Sequence, residues 1–460
     1  MSYRHVVVGA GVAGLACAIE TARRGIKTLV IDREPVIGGT LWYSSGHMSA
    51  AGTRRQRRLG IDDDAGRHLI EVERLGRGQL TPSLVRLAID GAAATLDWLE
   101  DEGFEMAADM PIIAKSHEPY EIRRTCWGVA GGVSILKVLQ RLLAEPEIRA
   151  NLNVRSGCLV EGLDLDASPV MLFVRNGGRI EEIDAPELTL ATGGFGADPE
   201  LLKAWHGQSS LYGGGSFADG TMMRLLVDKG AEVVGIGTFL PTLGGYAQRA
   251  DSNLVDWSKK LAINPQQRRV PEMFLDAEGR RFINENSESI NGVERTFLEH
   301  RIDTYHVLGS FDTLARSAPL LGGAGASQDE QRALISAIAG ARIGSLDAVL
   351  GDGGAFAENV RAELSLKAGA TDRYGRHWSD ADILSGEFYL IPCQTVVLRT
   401  WPGIRVDDDM HLIVNGAPHA HVHCLGEMLG GVQFSGASFA SGMSLTPALT
   451  LARRLGASLT

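Results

Sequence analysis

Six residues near the amino terminus, Gly9-Ala10-Gly11-Val12-Ala13-Gly14, constrain the fold more than any other feature of this chain. They follow a short apolar run (His5 to Val8) and open an Ala/Leu-rich stretch (Leu15 to Arg24) that stops at Gly25. Lys27 to Asp32 is a second apolar run. Strand, glycine turn, helix and strand in this order predict a parallel strand pair with a right-handed crossover. In G-x-G-x-x-G the first glycine permits the tight turn. The second lets the backbone approach a pyrophosphate, and the third lets helix meet strand. The amino end of the helix then faces phosphate charge. Asp32 lies 18 residues past Gly14, close to the ~20 expected of a carboxylate that binds a ribose. The segment therefore predicts a dinucleotide site.

The rest of the chain bounds what surrounds that site. Its 460 residues carry 44% apolar and 22% charged side chains, an ordinary globular balance that excludes a disordered chain or a coiled coil. Glycine is in excess, at 56 residues, with no collagen-like period. The formal charge of −11 argues against nonspecific nucleic-acid binding, which needs positive surface. No stretch is long and apolar enough for a membrane span, and the first residues lack the apolar core of a signal peptide. Five scattered cysteines without a CxxC predict reduced thiols and a cytoplasmic location.

Helices are expected at residues 83–103 and 131–144, and strands within 152–195, which ends in LTLATGGFG. Residues 205–385 differ in character: hydrophilic stretches, a charged turn at 276–281 and a Gly/Ala-rich helical run at 329–365. They read as an inserted domain between 1–204 and 386–460. The final segment returns to strands (HLIVN, HVHCLG) and a helix from Leu445 to Leu455. No second G-x-G-x-x-G is present, so the motif alone leaves FAD and NAD both open.

Residues 38–64, GGTLWYSSGHMSAAGTRRQRRLGIDDD, resemble the flavin-contact segment of the FAD-dependent fumarate reductase/succinate dehydrogenase flavoprotein superfamily. Further blocks agree in order: ATGGFGAD (191–198), ADGTMMRLL (218–226), LDAEGRRFINE (275–285), CLGEMLGG (424–431) and SGMSLTPALTLARRLG (441–456). The resemblance implies an α/β fold. A Rossmann-like FAD-binding domain of the glutathione-reductase type would be formed by both chain ends, with an inserted α+β capping domain. It implies FAD contacts at Gly9, Gly11, Ala13, Gly14, Asp32 and Arg33, and along Gly39, Thr40, Ser45, Gly46, Ala51 and Gly52. Val160, Gly193, Asp219, Glu427, Ser444 and Leu445 complete the set. His47 stands where respiratory members carry a histidine bonded covalently to the flavin 8α carbon; the alternative is a histidine packed at the flavin's edge.

Departures from the pattern narrow the chemistry. Where the superfamily's reductases clamp two carboxylates, this sequence has Leu240, Ser289, Phe439 and Arg399, so fumarate and succinate are not expected substrates. The block Gly442 to Thr450 is similar to that of 3-ketosteroid dehydrogenases. This implies that the Gly442 N–H and a tyrosine hold a ketone oxygen while a second tyrosine removes the α proton. The family's own tyrosine four residues before that glycine is Ser438 here. Tyr120 and Tyr389 are the candidates for those roles, with Tyr43 and Tyr246 in reserve. Arg399 is a candidate clamp for a substrate carboxylate.

The expected activity is FAD-dependent dehydrogenation (desaturation) of a C–C bond α,β to a carbonyl, in a cyclic ketone or keto acid, with electrons leaving to oxygen or a diffusible acceptor. Reduction of an activated alkene, or a flavin-binding subunit that needs a partner protein, are the alternatives. His419, His421 and His423 share a strand face. They read as a polar strand and not as a metal site, and no metal is expected. The partner is a small molecule, and the oligomeric state is left open.

Overall fold

A computed structural model describes residues 3–115, 117–322, 325–351 and 353–460. Its first sheet has six strands in the order His411–Val414, Ala417–Cys424, Glu187–Leu190, His5–Val8, Thr28–Ile31 and Leu152–Arg155. All neighbours run parallel except the first pair, an antiparallel hairpin. Strands from both chain ends thus sit side by side. The central strands are buried throughout, which is why they read as unbroken apolar runs and not as alternating ones.

The helix after the glycine turn spans Val12–Arg23, starting three residues before the expected Leu15. The carboxy-terminal helix, Leu445–Ser458, lies across it. Gly456 allows the approach: a Cβ there would be 2.6 Å from the Cys17 carbonyl oxygen. Arg453 Nε meets Glu20 Oε1 at 2.6 Å beside the crossing.

The single helix expected at 83–103 is two, Pro82–Asp90 and Ala92–Asp101. They break at Gly91, where a Cβ would come within 2.4 Å of Thr450 Cγ2 on the carboxy-terminal helix. The run at 329–365 is likewise divided, into Gln328–Ser336, Leu346–Leu350 and Ala355–Glu363, with the strand Arg342–Gly344 between. Glycines at 340, 344 and 351 hold positive φ between these helices, and Gly351 caps the second of them.

An antiparallel meander (Cys158–Asp164, Val170–Asn176, Arg179–Ala185) follows Leu152–Arg155. The inserted segment builds a second sheet around Phe388–Val397, which pairs with Thr304–Ser310, Leu211–Tyr212, Thr242–Gly245 and Arg342–Gly344. Phe388–Val397 was expected to belong with the carboxy-terminal segment from 386 onward. It is instead the spine of the second sheet and is buried along nearly its whole length. The chain therefore returns to the first sheet only after residue 397. No helix among the described residues is long and apolar enough to cross a membrane, and the five cysteines are buried and unpaired.

The RFINE block, matched in sequence to a flavin superfamily, has a structural role here. Glu285, 1% exposed, accepts from Arg281 Nε (2.8 Å), Arg376 Nη1 (2.7 Å) and the Phe274 N–H (3.0 Å). Burial alone would raise its pKa, but Arg376 and Arg281 outweigh it and hold the carboxyl below the usual range. A group shifted this way stabilises fully above the usual carboxylate range and loses its contribution as pH falls through the depressed pKa. Glu285→Gln is expected to cost about 3 kcal/mol in urea unfolding at neutral pH, and to remove part of the acid sensitivity of the wild type. An unchanged urea midpoint would contradict this.

Candidate active site

The two chain ends meet at a cleft of about 1470 Å³ including its open mouth. Its floor is the glycine turn and Ala191–Gly194; one wall is Ile31–Glu34 with Val160, and the opposite wall is Gly426–Gly431. The amino ends of Val12–Arg23 and Leu445–Ser458 both open into it. The first supplies unpaired N–H groups and partial positive charge; at the second, the Thr446 N–H donates to the Gly442 carbonyl oxygen and Pro447 has no N–H, so it contributes mainly the partial charge.

The three motif glycines act differently. Gly9 has φ +106°, and a Cβ would lie 2.3 Å from the Ala191 carbonyl oxygen. A Cβ on Gly14 would lie 1.9 Å from the Gly9 carbonyl oxygen. These two shape the turn. Gly11 has open space around its missing Cβ, directly on the cleft. Gly193, at φ +85°, has the same open space. A cradle of bare backbone between two helix amino ends fits the pyrophosphate of a dinucleotide.

Of the expected FAD contacts, Gly9, Gly11, Ala13, Asp32, Arg33, Gly39, Thr40, Val160, Gly193, Asp219, Glu427, Ser444 and Leu445 line this cleft. Asp32 Oδ2 accepts from the Ala10 N–H (2.5 Å) and Oδ1 from the Glu34 N–H (2.8 Å), so it also fastens the turn. Arg33 pairs with Asp219 at 2.7 Å and pins the Phe217–Met222 segment over the cleft. Glu427 Oε1 accepts from the Thr400 N–H at 2.9 Å, and burial raises its pKa.

Other expected contacts lie outside the lining. Gly14 sits behind the turn. Gly46, at φ +77°, packs against the Gly131 backbone, where a Cβ would be 2.5 Å from the Gly131 carbonyl carbon. Ser45 is exposed, Ala51 is buried, and Gly52 holds φ +76° and accepts from Arg57. His47 packs against Trp127 with ring centroids 4.6 Å apart and the rings tilted by 31°, and burial lowers its pKa.

The tyrosines and Gly442 are fasteners in this structure. The Tyr389 hydroxyl donates to Glu272 Oε1 at 2.8 Å inside the second sheet's core, and its ring is fully buried. Tyr120 donates to the Ser441 carbonyl oxygen at 2.8 Å. Burial pushes both phenols up, away from a tyrosinate at neutral pH. Gly442 presses on the strand Met48–Ser49, where a Cβ would be 2.3 Å from the Ser49 nitrogen. None of the three is among the described residues that line the two cavities. The sequence pattern brought Tyr120 and Gly442 close together, but for joining segments.

Arg399 is the exception, for it lines both the cleft and a second, much smaller cavity with room for about one water molecule. Its Nη1 donates to the Met443 carbonyl oxygen (2.9 Å) and to Ser444 Oγ; its Nη2 donates to the Gly431 carbonyl oxygen (2.7 Å). The guanidinium packs over Trp401 and Phe439. Burial lowers its pKa to about 10, which leaves it charged at neutral pH. Both terminal nitrogens are engaged, so a bidentate carboxylate clamp is not free to form; Nε is the unengaged donor.

The smaller cavity is completed by His117, Leu240, Thr242, Glu294, Leu398, Trp401 and Phe439. His117 stacks on Phe439 at 3.9 Å, and burial, with His47 and Arg399 nearby, lowers its pKa to about 3. Burial raises Glu294 well above the usual carboxylate range. Neither residue belongs to a motif, and no spacing in the sequence marks them.

Gly11→Ala separates folding from cofactor binding. With open space around that position, stability is expected to stay within about 1 kcal/mol of wild type. FAD affinity is expected to fall by about tenfold or more, because the added methyl stands where backbone must approach phosphate. Fluorescence titration with FAD and a urea melt check the two halves.

The profile of the FAD_binding_2 family, described as an FAD binding domain, matches residues 4–445. An NADH:fumarate oxidoreductase of Klebsiella pneumoniae is 31% identical over 206 residues, 44% of this chain; the match spans 21% of that protein's length. A fumarate reductase (cytochrome) of Shewanella frigidimarina is 23% identical over 465 residues, covering 98% of this chain and 76% of that one. The structure of a 3-ketosteroid delta1-dehydrogenase from Sterolibacterium denitrificans superposes with a TM-score of 0.79 at 13% identity. That likeness covers 99% of this chain and 98% of the other and is a likeness of fold. With a family match over nearly its whole length and a cleft whose glycines, acids and helix ends suit the cofactor, this chain belongs to the FAD_binding_2 family of FAD-binding proteins.

Proposed function

We propose that this chain is an FAD-dependent oxidoreductase of the fumarate reductase/3-ketosteroid dehydrogenase type, acting on a C–C bond next to a carbonyl. The observation that carries this reading is the small cavity sharing Arg399 with the FAD cleft. When bound, FAD supplies a hydride acceptor or donor. In this reading Gly9, Gly11, Ala13 and the amino end of Val12–Arg23 hold the pyrophosphate. Asp32, Arg33 and Glu427 hold the adenosine side, and Ser444–Leu445 face the flavin. The first sheet is then the Rossmann-like part of a glutathione-reductase-type fold, with the segment between about 205 and 397 as its cap.

The chain's own contribution at the small cavity is electrostatic and steric. Arg399 places one buried positive charge where negative charge would gather on a carbonyl oxygen. Trp401, Phe439 and Leu240 keep water away from it. Leu240 and Phe439 put apolar surface where a dicarboxylate would need cations, which supports a ketone or keto acid over fumarate. Dehydrogenation of a cyclic ketone or keto acid, with electrons passing to oxygen or a diffusible acceptor, is the reading we favour. The names of the curated relatives, fumarate reductases, favour the reverse direction as a second reading. The buried unpaired cysteines suit a reducing compartment.

Anaerobic mixing of the FAD-loaded protein with cyclohexanone, a steroid ketone or a cyclic keto acid is expected to bleach the flavin with at least one of them. Reoxidation of prereduced protein by enones, without such bleaching, would instead establish the reductive direction. Silence in both directions would remove the oxidoreductase reading.

His47 is absent from the cleft lining and packs against Trp127, which supports a packed and unbonded histidine. Acid precipitation is therefore expected to leave a colourless pellet and release the flavin. A yellow pellet that turns colourless in His47→Ala would establish the covalent bond instead.

A further inference from the structure

Three polar atoms on residues that line the small cavity have no hydrogen-bond partner among the described residues: Glu294 Oε2, His117 Nδ1 and Arg399 Nε. An unpaired buried polar atom is unfavourable, because it has given up its bond to water and gained none in exchange. Three of them around one small space point to ligand atoms as their intended partners. Glu294 is 4% exposed, on the helix Ile290–Glu299. An ionised carboxylate buried without a counter-ion is so unfavourable that the group takes up a proton instead. Its neighbours agree: Glu118 adds to the effect of burial, and Arg295 opposes it too weakly to reverse it. A neutral carboxyl has an O–H to give, which a carboxylate lacks.

We propose that the small cavity seats the substrate's carbonyl group and that Glu294 donates its carboxyl O–H to the carbonyl oxygen, with Arg399 Nε–H as the second donor. This deepens the oxidoreductase reading and rests on it. The pair takes the role expected of a tyrosine and Gly442. No bond to Glu294 forms or breaks; its hydrogen bond strengthens as negative charge gathers on the oxygen. The pocket offers one cation with a single unengaged N–H, a neutral imidazole and a neutral acid. It therefore takes compounds with at most one negative charge. Its interior has room for about one water-sized group, so the part of the ligand it accepts is the carbonyl oxygen itself.

The test uses the FAD-loaded protein with 2-cyclohexenone, crotonate and fumarate as probes. At neutral pH the infrared difference spectrum on adding 2-cyclohexenone should show a perturbed neutral-carboxyl band that is missing in Glu294→Gln. Binding, read from flavin absorbance, should weaken about tenfold in Glu294→Leu. It should stay within about threefold in Glu294→Gln, which keeps an N–H donor and nearly the same shape. Fumarate should bind at least about tenfold more weakly than crotonate. A missing carboxyl band in the wild type, or wild-type binding in both variants, would overturn the proposal. Neither readout needs turnover. A perturbed band with neither bleaching by any ketone nor reoxidation of prereduced protein by enones sinks the oxidoreductase reading and keeps the role of Glu294, whereas bleaching with unchanged binding in both variants does the reverse.

Discussion

Two helix amino ends, those of Val12–Arg23 and Leu445–Ser458, open onto one cleft, and the rest of the structure is arranged around keeping them there. Each carries roughly half a unit of positive charge. An anionic dinucleotide can satisfy both ends at once, which neither could expect of the other. The convergence demands very close contact between segments more than 350 residues apart. Gly456 against Cys17, Gly91 against Thr450 and Gly442 against Ser49 are three of the places where a side chain would forbid it. Thr446 closes the join from the other side: its hydroxyl donates to the Ser49 carbonyl oxygen at 3.0 Å and accepts from the Ser49 N–H at 2.9 Å.

Read this way, part of the carboxy-terminal glycine block is a hinge-free seam. Gly442 and Tyr120 sit at that seam: the Tyr120 hydroxyl is spent on it, while Gly442 contributes the absence of a side chain. The same residue pattern that suggests ketone binding by resemblance is one that a tight join also requires. The distinction lies in what each group touches: a phenol donating to the Ser441 carbonyl oxygen is engaged, while a buried carboxyl oxygen without a partner is not.

The nucleotide half of the site was legible because its determinants are local. A strand, a glycine turn, a helix and an acid at the end of the next strand lie within 28 residues, His5 to Asp32, and each has its reason in backbone geometry. Features set by distant pairing were hidden. Phe388–Val397 has the composition of any buried strand, and only its partners across Thr304–Ser310 assign it to the second sheet. Nothing near residue 91 announces that a helix must break there, because the cause is Thr450. Tyr389 looked available until Glu272, 117 residues away, took its hydroxyl. His117 and Glu294 are lone polar residues in unremarkable segments, and a cavity is the first thing that brings them together.

Arg399 is the residue common to the two cavities. It stands in the wall between them, with its terminal nitrogens tied to the Met443 and Gly431 carbonyl oxygens and to Ser444 at the start of the carboxy-terminal helix. A guanidinium held this firmly cannot follow a flexible substrate. It is instead a fixed charge, oriented before any ligand arrives, and such preorganisation is what makes a buried cation effective against charge that develops during a reaction. Its rigidity comes from the same seam that brings the helix ends together. The packing that encloses the cofactor therefore also sets the position of the charge on the substrate side, and disturbing the first should shift the second.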